Sequence, residues 1–508
     1  MDIEKKDKKI KHKIKDFFNN NDNLILVSII LFAFIIRLYY FTITLNQPLW
    51  WDEAEYMLKA KSIILGTPLT GFDAAREEII PLLWAILYFL WPGEYLQRFL
   101  QVLISTSTVL LTYLVAKRLF NKNVAIISSL LLSVFSINLF FTSRLLTYTW
   151  APLIYLLSIY FFIRRNESPK YLYISAAILG LGIITYFSTT FIVIALSLFW
   201  LIDEREKIFK NKKILMALGI FLLVMSPFVT YYMITRGVPI PRYSQIGTVI
   251  ELSETKTKVL PFFSWFNYLT KTIPISLRLP LNIFFILASL ATLFEIFIGL
   301  DLFYKKQSER IKSLIFVWIW LLVPLSIYTV IEIMHAENVF YDAFLLPLFP
   351  AIFILIGVFL MNIFSYLKKY DKVFAFFIIF ALMLLFMYTQ IIYADGIIKN
   401  KVNSYKEVKQ AGQYINKNSN PEEIIFSAAI PMMTYYSERA TYGFPANTSI
   451  FQENITTMKP SFIVWTVYQS SPPWVVEYIN NPNNNLTAEK VFLINNDQNQ
   501  PTVVFRFR

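Results

Sequence analysis

Long apolar runs broken by short polar turns fill the chain as far as residue 395. Leu24 to Ile36, Ile214 to Val229 and Phe374 to Ile392 hold no charged residue. Several runs reach the ~20 residues that cross a hydrocarbon core ~30 Å thick, so they predict transmembrane helices. The expected spans lie near residues 24–46, 97–119, 123–142, 149–163, 171–185, 187–202, 213–234, 280–302, 313–332, 343–365 and 372–393, about eleven in all. The first run is too long for a cleavable signal peptide and lacks a small-residue cleavage site, so residue 24 begins an anchor that stays. Ile79 to Trp91 is apolar but short, and reads as an interfacial or re-entrant helix.

Charge orients these spans. A basic tail, residues 1–23, is expected in the cytoplasm, and each later inside turn is basic as well: Lys117, Arg118 and Lys122; Arg164, Arg165 and Lys170; Arg205 to Lys213; Lys305 to Lys312; Lys368 to Lys372. This is the positive-inside pattern. It also accounts for the net charge of +13, which in a soluble protein would suggest nucleic acid. Counting Ile79 to Trp91 as a span would put every one of these turns outside. Two large outside loops follow, about 47–96 and 235–279. The second carries Arg236, Arg242, Lys256, Lys258, Lys271 and Arg278, cations that run against the trend.

Past residue 395 the pattern changes to short apolar runs among Asn, Ser and Thr. Tyr405 to Asn416 has helical spacing, and Ile424 to Ala428, Phe462 to Val467 and Val491 to Ile494 read as strands. The expectation is a transmembrane domain over 24–395 and a small extracytoplasmic α/β domain over 396–508, with sequons at Asn447, Asn454 and Asn485 suited to an outside location. Hydrophobic residues make up 56% and charged residues 16% of the chain, against about 25% charged in a soluble protein, so lipid is the solvent for most of it. With no cysteine and only His12 and His335, thiol chemistry, disulfides and histidine-rich metal sites are excluded. Any metal would rest on carboxylates.

The first outside loop opens with Trp50-Trp51-Asp52-Glu53-Ala54-Glu55-Tyr56, three carboxylates in four residues beside two indoles at the membrane interface. Desolvation and mutual repulsion raise a carboxylate pKa, which suits a general base, and a nearby cation opposes that. In a helix, Asp52, Glu55 and Lys59 share one face. The competing reading is a solvated amphipathic loop helix without chemistry. Arg98, at the start of the next span, either snorkels to the interface or pairs with the acids.

An apolar first span, then Asp52-Glu53-Ala54-Glu55-Tyr56, a long outside loop and Arg98-Phe99 at the second span resemble the membrane glycosyltransferases of the C-type fold. The resemblance is nearest to protein O-mannosyltransferases and the transferases of aminoarabinose to lipid A, and is strongest over the first 165 residues. It implies a polytopic α-helical glycosyltransferase that moves a sugar from a polyprenyl or dolichyl phosphate to an extracytoplasmic lipid, glycan or protein acceptor. By that resemblance Asp52 is the catalytic carboxylate that takes the acceptor's proton, and Glu53 orients the acceptor or a neighbouring cation. Glu55, Tyr56 and Arg98 support the acceptor side. Arg144, Arg236, Arg242, Lys271 and Arg278 are the candidates for the donor phosphate. No cofactor is expected; a divalent metal on Asp52 and Glu53 is the alternative to metal-independent chemistry.

Two departures from the family pattern stand out. Relatives carry a second acid a few residues past an arginine between the third and fourth spans, whereas here Arg144 is followed by Leu145-Leu146-Thr147-Tyr148-Thr149-Trp150. Asp73, Glu77 or Glu78 are the substitutes within reach in sequence. Ala343-Phe344-Leu345-Leu346-Pro347 likewise lacks the usual arginine, leaving His335, Glu337 and Asp342 as the polar groups of that loop. A lipid or glycan transporter is the rival class, but 13 glycines and few charges within spans argue against broken substrate-binding helices. A non-catalytic member of the family is the third reading.

Overall fold

The computed structural model describes residues 21–205, 212–240, 267–335, 343–480, 488–495 and 501–507. Among these, seven helices are long and apolar enough to cross a membrane: Asp22–Thr44, Tyr95–Leu119, Lys212–Arg236, Leu281–Tyr304, Glu309–Ile331, Leu346–Leu367 and the apolar part of Lys372–Asn418. Ile79–Leu90, Lys122–Val134, Thr147–Phe162 and Pro169–Thr185 are apolar but shorter. Even the longest of these reaches only about 25 Å at 1.5 Å per residue, less than a full hydrocarbon core. The chain is a multi-span helical membrane protein made of two compact units, each assembled from separate stretches of sequence.

The first unit holds residues up to Thr42, Leu100–Ser143 and Thr147–Ile397. Here the expected span at 123–142 is interrupted, as the helices Lys122–Val134 and Ser136–Phe141 meet at an extended Phe135. A helix break in apolar surroundings strands backbone groups that lipid cannot satisfy. Arg37, wholly buried within the first span, answers them. Its Nη1 donates to Ser133 O at 2.9 Å and Ala33 O at 3.0 Å, its Nη2 to Asn138 Oδ1 at 2.6 Å and its Nε to Ser105 Oγ at 2.8 Å. From another helix, Gln390 Oε1 accepts from Ser136 N at 3.1 Å and Nε2 donates to Leu277 O at 2.5 Å. A cation at the end of a helix also complements its dipole. In the basic turns, Asp203 pairs with Arg165 at 2.5 Å and Lys312 at 3.0 Å.

The second unit joins Ile43–Phe99, Arg144–Leu146 and the chain from Ile398 onward. Its sheet has the order β2-β1-β3-β5-β4, with β1 Ile425–Ser427, β2 Thr441–Tyr442, β3 Phe462–Thr466, β4 Ala488–Asn495 and β5 Pro501–Phe507. β1 runs parallel to β2 and β3, in register Phe426↔Ile463, and β5 runs antiparallel to β3 and β4, in register Val464↔Val504. Phe426, Phe451 and Ile463 form a buried core with Trp474 and Phe505 packed on it. Helices Lys406–Asn418 and Ile430–Ser437 pack together, and the second also packs on Trp51–Leu65. Asn447 is exposed and caps the helix Thr448–Met458, its Oδ1 accepting from Ile450 N at 3.0 Å; Asn454 lies within that helix, and Asn485 lies outside the described residues.

The loop after Trp51–Leu65 is stitched to this α/β part. Thr70 Oγ1 accepts from Thr441 N at 2.9 Å, Lys61 Nζ donates to Tyr435 O at 3.0 Å and pairs with Glu438 at 2.8 Å, and the Tyr436 hydroxyl accepts from Leu49 N at 2.7 Å. Gly71 sits at φ +89° where an added Cβ would come within 2.8 Å of Ile430, so both its backbone angle and its surroundings require glycine.

Candidate active site

The helix Trp51–Leu65 begins on its own acids. Glu53 Oε2 accepts from Trp50 N at 2.9 Å, the return arm of a capping box, and Asp52 and Glu53 in the first turn complement the helix dipole. Gly66, left-handed at φ 68°, ends the helix with its N–H on Ser62 O at 2.9 Å. One turn of helix thus sends adjacent carboxylates to different environments.

Glu53 goes inward. Its side chain is 0% exposed and meets Arg144, 1% exposed, at 3.0 Å, while its Oε1 accepts from Leu145 N at 2.8 Å. The Arg144 guanidinium lies 3.5 Å from the Trp50 ring centroid. Burial pulls the Arg144 pKa down, to about 10, against the pull of Glu53, so it remains a cation at neutral pH. This is a closed, desolvated ion pair.

Asp52 stays accessible, with 34% of its side chain exposed, and accepts from Arg76 Nη2 at 2.6 Å. The Nε of the same guanidinium donates to Glu55 Oε2, so Arg76 bridges the two acids across one helical turn. Its Nη1 makes no hydrogen bond among the described residues. Burial, which opposes the Arg76 charge, is outweighed by Tyr56, Asp52 and Glu55, and its pKa stands above the ordinary value. Burial pushes the Glu55 carboxyl up, with Arg76 opposing. The Tyr56 ring lies 5.1 Å from that guanidinium and its hydroxyl donates to Glu77 Oε2 at 3.4 Å.

The remaining expected site residues are placed as follows. Arg98 does not snorkel: it is fully buried, and its Nη2 donates to Gln47 O and to Glu94 Oε2, both at 2.8 Å. Arg144, expected at a donor phosphate, is enclosed behind Glu53 and Trp50, because tertiary packing turns its turn inward. Arg236, Lys271 and Arg278 belong to the other unit; Lys271 and Arg278 are exposed, with Arg278 bonded to the Tyr393 hydroxyl and 4.2 Å from its ring. Arg242, Glu337 and Asp342 lie outside the described residues, as does the side chain of His335. Of the substitute acids, Asp73 Oδ1 accepts from Ala75 N at 2.8 Å, Glu77 meets Tyr56, and Glu78 pairs with Lys59 at 3.8 Å. Sequence reasoning missed Arg76; its signal was a lone cation directly before Glu77 and Glu78.

Asp52 and Glu53 do not fit a shared divalent metal here, since both Glu53 oxygens are bonded within the protein. Among the described residues no group of three acidic, histidine or cysteine side chains is placed to hold one.

The fold is that of solved C-type membrane glycosyltransferases, which the chain resembles over most of its length. Residues 76–231 match the family model described as dolichyl-phosphate-mannose-protein mannosyltransferase. Among solved structures, the chain is similar to ArnT from Cupriavidus metallidurans bound to undecaprenyl phosphate, with a TM-score of 0.62 and 12% identity over 94% of this chain and 97% of that one. It is also similar to the archaeal oligosaccharyltransferase AglB from Archaeoglobus fulgidus in complex with an inhibitory peptide and a dolichol-phosphate, with a TM-score of 0.60 and 14% identity over 87% of this chain and 69% of that one. No curated protein sequence matches significantly.

Proposed function

We propose that the protein is a membrane glycosyltransferase that moves one sugar from a polyprenyl- or dolichyl-phosphate donor to an extracytoplasmic lipid, glycan or protein acceptor. In this reading the N-terminus is cytoplasmic, about eleven helical segments traverse or enter the bilayer, and the α/β part faces the opposite side. The observation that carries it is the Asp52–Arg76–Glu55 bridge: one accessible carboxylate beside a guanidinium that keeps a donor group free. The acceptor hydroxyl oxygen attacks the anomeric carbon and the bond from that carbon to the phosphate oxygen breaks. The lipid phosphate leaves with the electron pair, and the acceptor proton passes to Asp52.

Arg76 would hold the departing phosphate through Nη1. As charge develops there it competes with Asp52 for the guanidinium, which frees an Asp52 oxygen to accept the acceptor's proton. Glu55 holds the other edge of Arg76, and Glu53 with Arg144 fixes the helix start. Lys271 and Arg278 are further candidates for the donor, and no metal takes part.

The test supplies membranes carrying the protein with labelled polyprenyl-phosphate sugars and follows label leaving the lipid fraction. Asp52→Asn should abolish that loss while expression and insertion stay normal. Turnover by the variant at the wild-type rate would contradict the assignment, and a wild-type protein inert toward every donor would favour the non-catalytic reading.

A further inference from the structure

Behind the acid helix runs a row of aromatic rings that the transfer step does not use. Arg144 covers one face of Trp50, and the Trp50 and Tyr405 ring centroids are 6.3 Å apart with planes at 66°. Tyr468 follows at 5.0 Å and 48°. All three are partly exposed, and none lies in a parallel stack with the next. The Tyr468 hydroxyl donates to Glu407 Oε2 at 2.7 Å, which fixes the far end of the row. Trp50 fixes the near end, two residues before Asp52.

Tyr405 is the unusual member. Its backbone is left-handed at φ 68°, ψ 16°, a conformation that costs a tyrosine and that Gly or Asn adopts more readily. Strain of this kind persists where surrounding structure enforces it. Here it accompanies a ring between Trp50 and Tyr468 whose hydroxyl makes no hydrogen bond among the described residues.

Resting on the transferase reading, we propose that Trp50, Tyr405 and Tyr468 form the acceptor subsite and that the acceptor is a carbohydrate. A pyranose ring has an apolar C–H face that packs on aromatic faces, and a rim of hydroxyls that needs polar partners. The row supplies tilted faces, with the Tyr405 hydroxyl between Trp50 and Tyr468. An acyl chain would leave that hydroxyl unmet, and a peptide held by its backbone would look for a strand edge rather than rings.

The test uses the full chain in phosphatidylcholine nanodiscs and saturation-transfer NMR with methyl glycosides of glucose, mannose, galactose and N-acetylglucosamine, and with a threonine-containing hexapeptide. At least one glycoside should bind. Tyr405→Asn and Tyr468→Ala should each weaken it about ten-fold, while Tyr405→Phe should weaken it less, because the ring remains and only the hydroxyl's hydrogen bond is lost. Tyr405→Asn relaxes the backbone, so its unfolding temperature should not fall, which separates lost binding from lost folding. The inference is overturned if no glycoside binds, if Tyr405→Asn leaves binding intact, or if only the peptide binds. Sugar binding without any transfer would sink the transferase reading instead.

Discussion

Asp52 and Glu53 are neighbours on one helical turn, and each meets an arginine supplied from elsewhere in its unit. Arg144 arrives from a three-residue stretch between two membrane helices and seals Glu53 in a pair that is 1% and 0% exposed. Arg76 arrives from the loop that folds back over the helix and meets Asp52 in a pair that is 12% and 34% exposed. The sealed pair holds architecture together, because removing either member strands a buried charge. The open pair keeps a solvent-facing oxygen and a spare donor. Adjacent acids in a motif therefore need not share a task, and burial is what separates them.

The largest effect should come from the sealed side. Glu53→Gln leaves Arg144 uncompensated and should cost about 3–5 kcal/mol, read as a drop in unfolding temperature in nanodiscs or as failed expression. A variant as stable as the wild type would break the comparison. On the open side, Arg76→Ala should slow sugar transfer roughly 100-fold or more by removing the cation at the leaving phosphate. Arg76→Lys should recover only part of this, since a single ammonium cannot reproduce a fork that spans two carboxylates. Equal activity in the lysine variant would show that charge alone suffices.

The smallest effect concerns pH. Burial raises the Glu55 carboxyl above its ordinary 4.5. Its contribution to stability is therefore full below that value and lost as pH rises through the higher folded value. The wild-type unfolding temperature should fall slightly over that window, and Glu55→Gln should remove the slope. A slope of opposite sign would mean that Arg76 outweighs burial.

Local features of this protein were legible in its sequence. Apolar runs located the membrane helices, and the expected strands at 424–428, 462–467 and 491–494 coincide with β1, β3 and β4. The acid motif fell on a helix start, where carboxylates belong. What escaped depends on long-range packing. Phe135 breaks a continuous apolar run because Arg37 and Gln390, distant in sequence, satisfy the freed backbone. β5 pairs across the sheet with β3 and β4, a pairing that its own residues, Pro501 to Phe507, do not announce. Arg76 lies 24 residues after Asp52 in a loop without periodicity, so only the fold shows that it bridges Asp52 and Glu55. Arg144 reads from sequence as a donor-phosphate cation, since nothing local to it tells that Glu53 buries it.

The separation of the two acids is tested most directly by the thermal unfolding of Asp52→Asn and Glu53→Gln, measured side by side in the same nanodiscs. The expected result is that Asp52→Asn changes stability by no more than about 1 kcal/mol, as for an exposed ion pair, while Glu53→Gln unfolds far earlier. If Asp52→Asn were the more damaging of the two, Asp52 would be an architectural residue and the proposed division between the acids would be wrong.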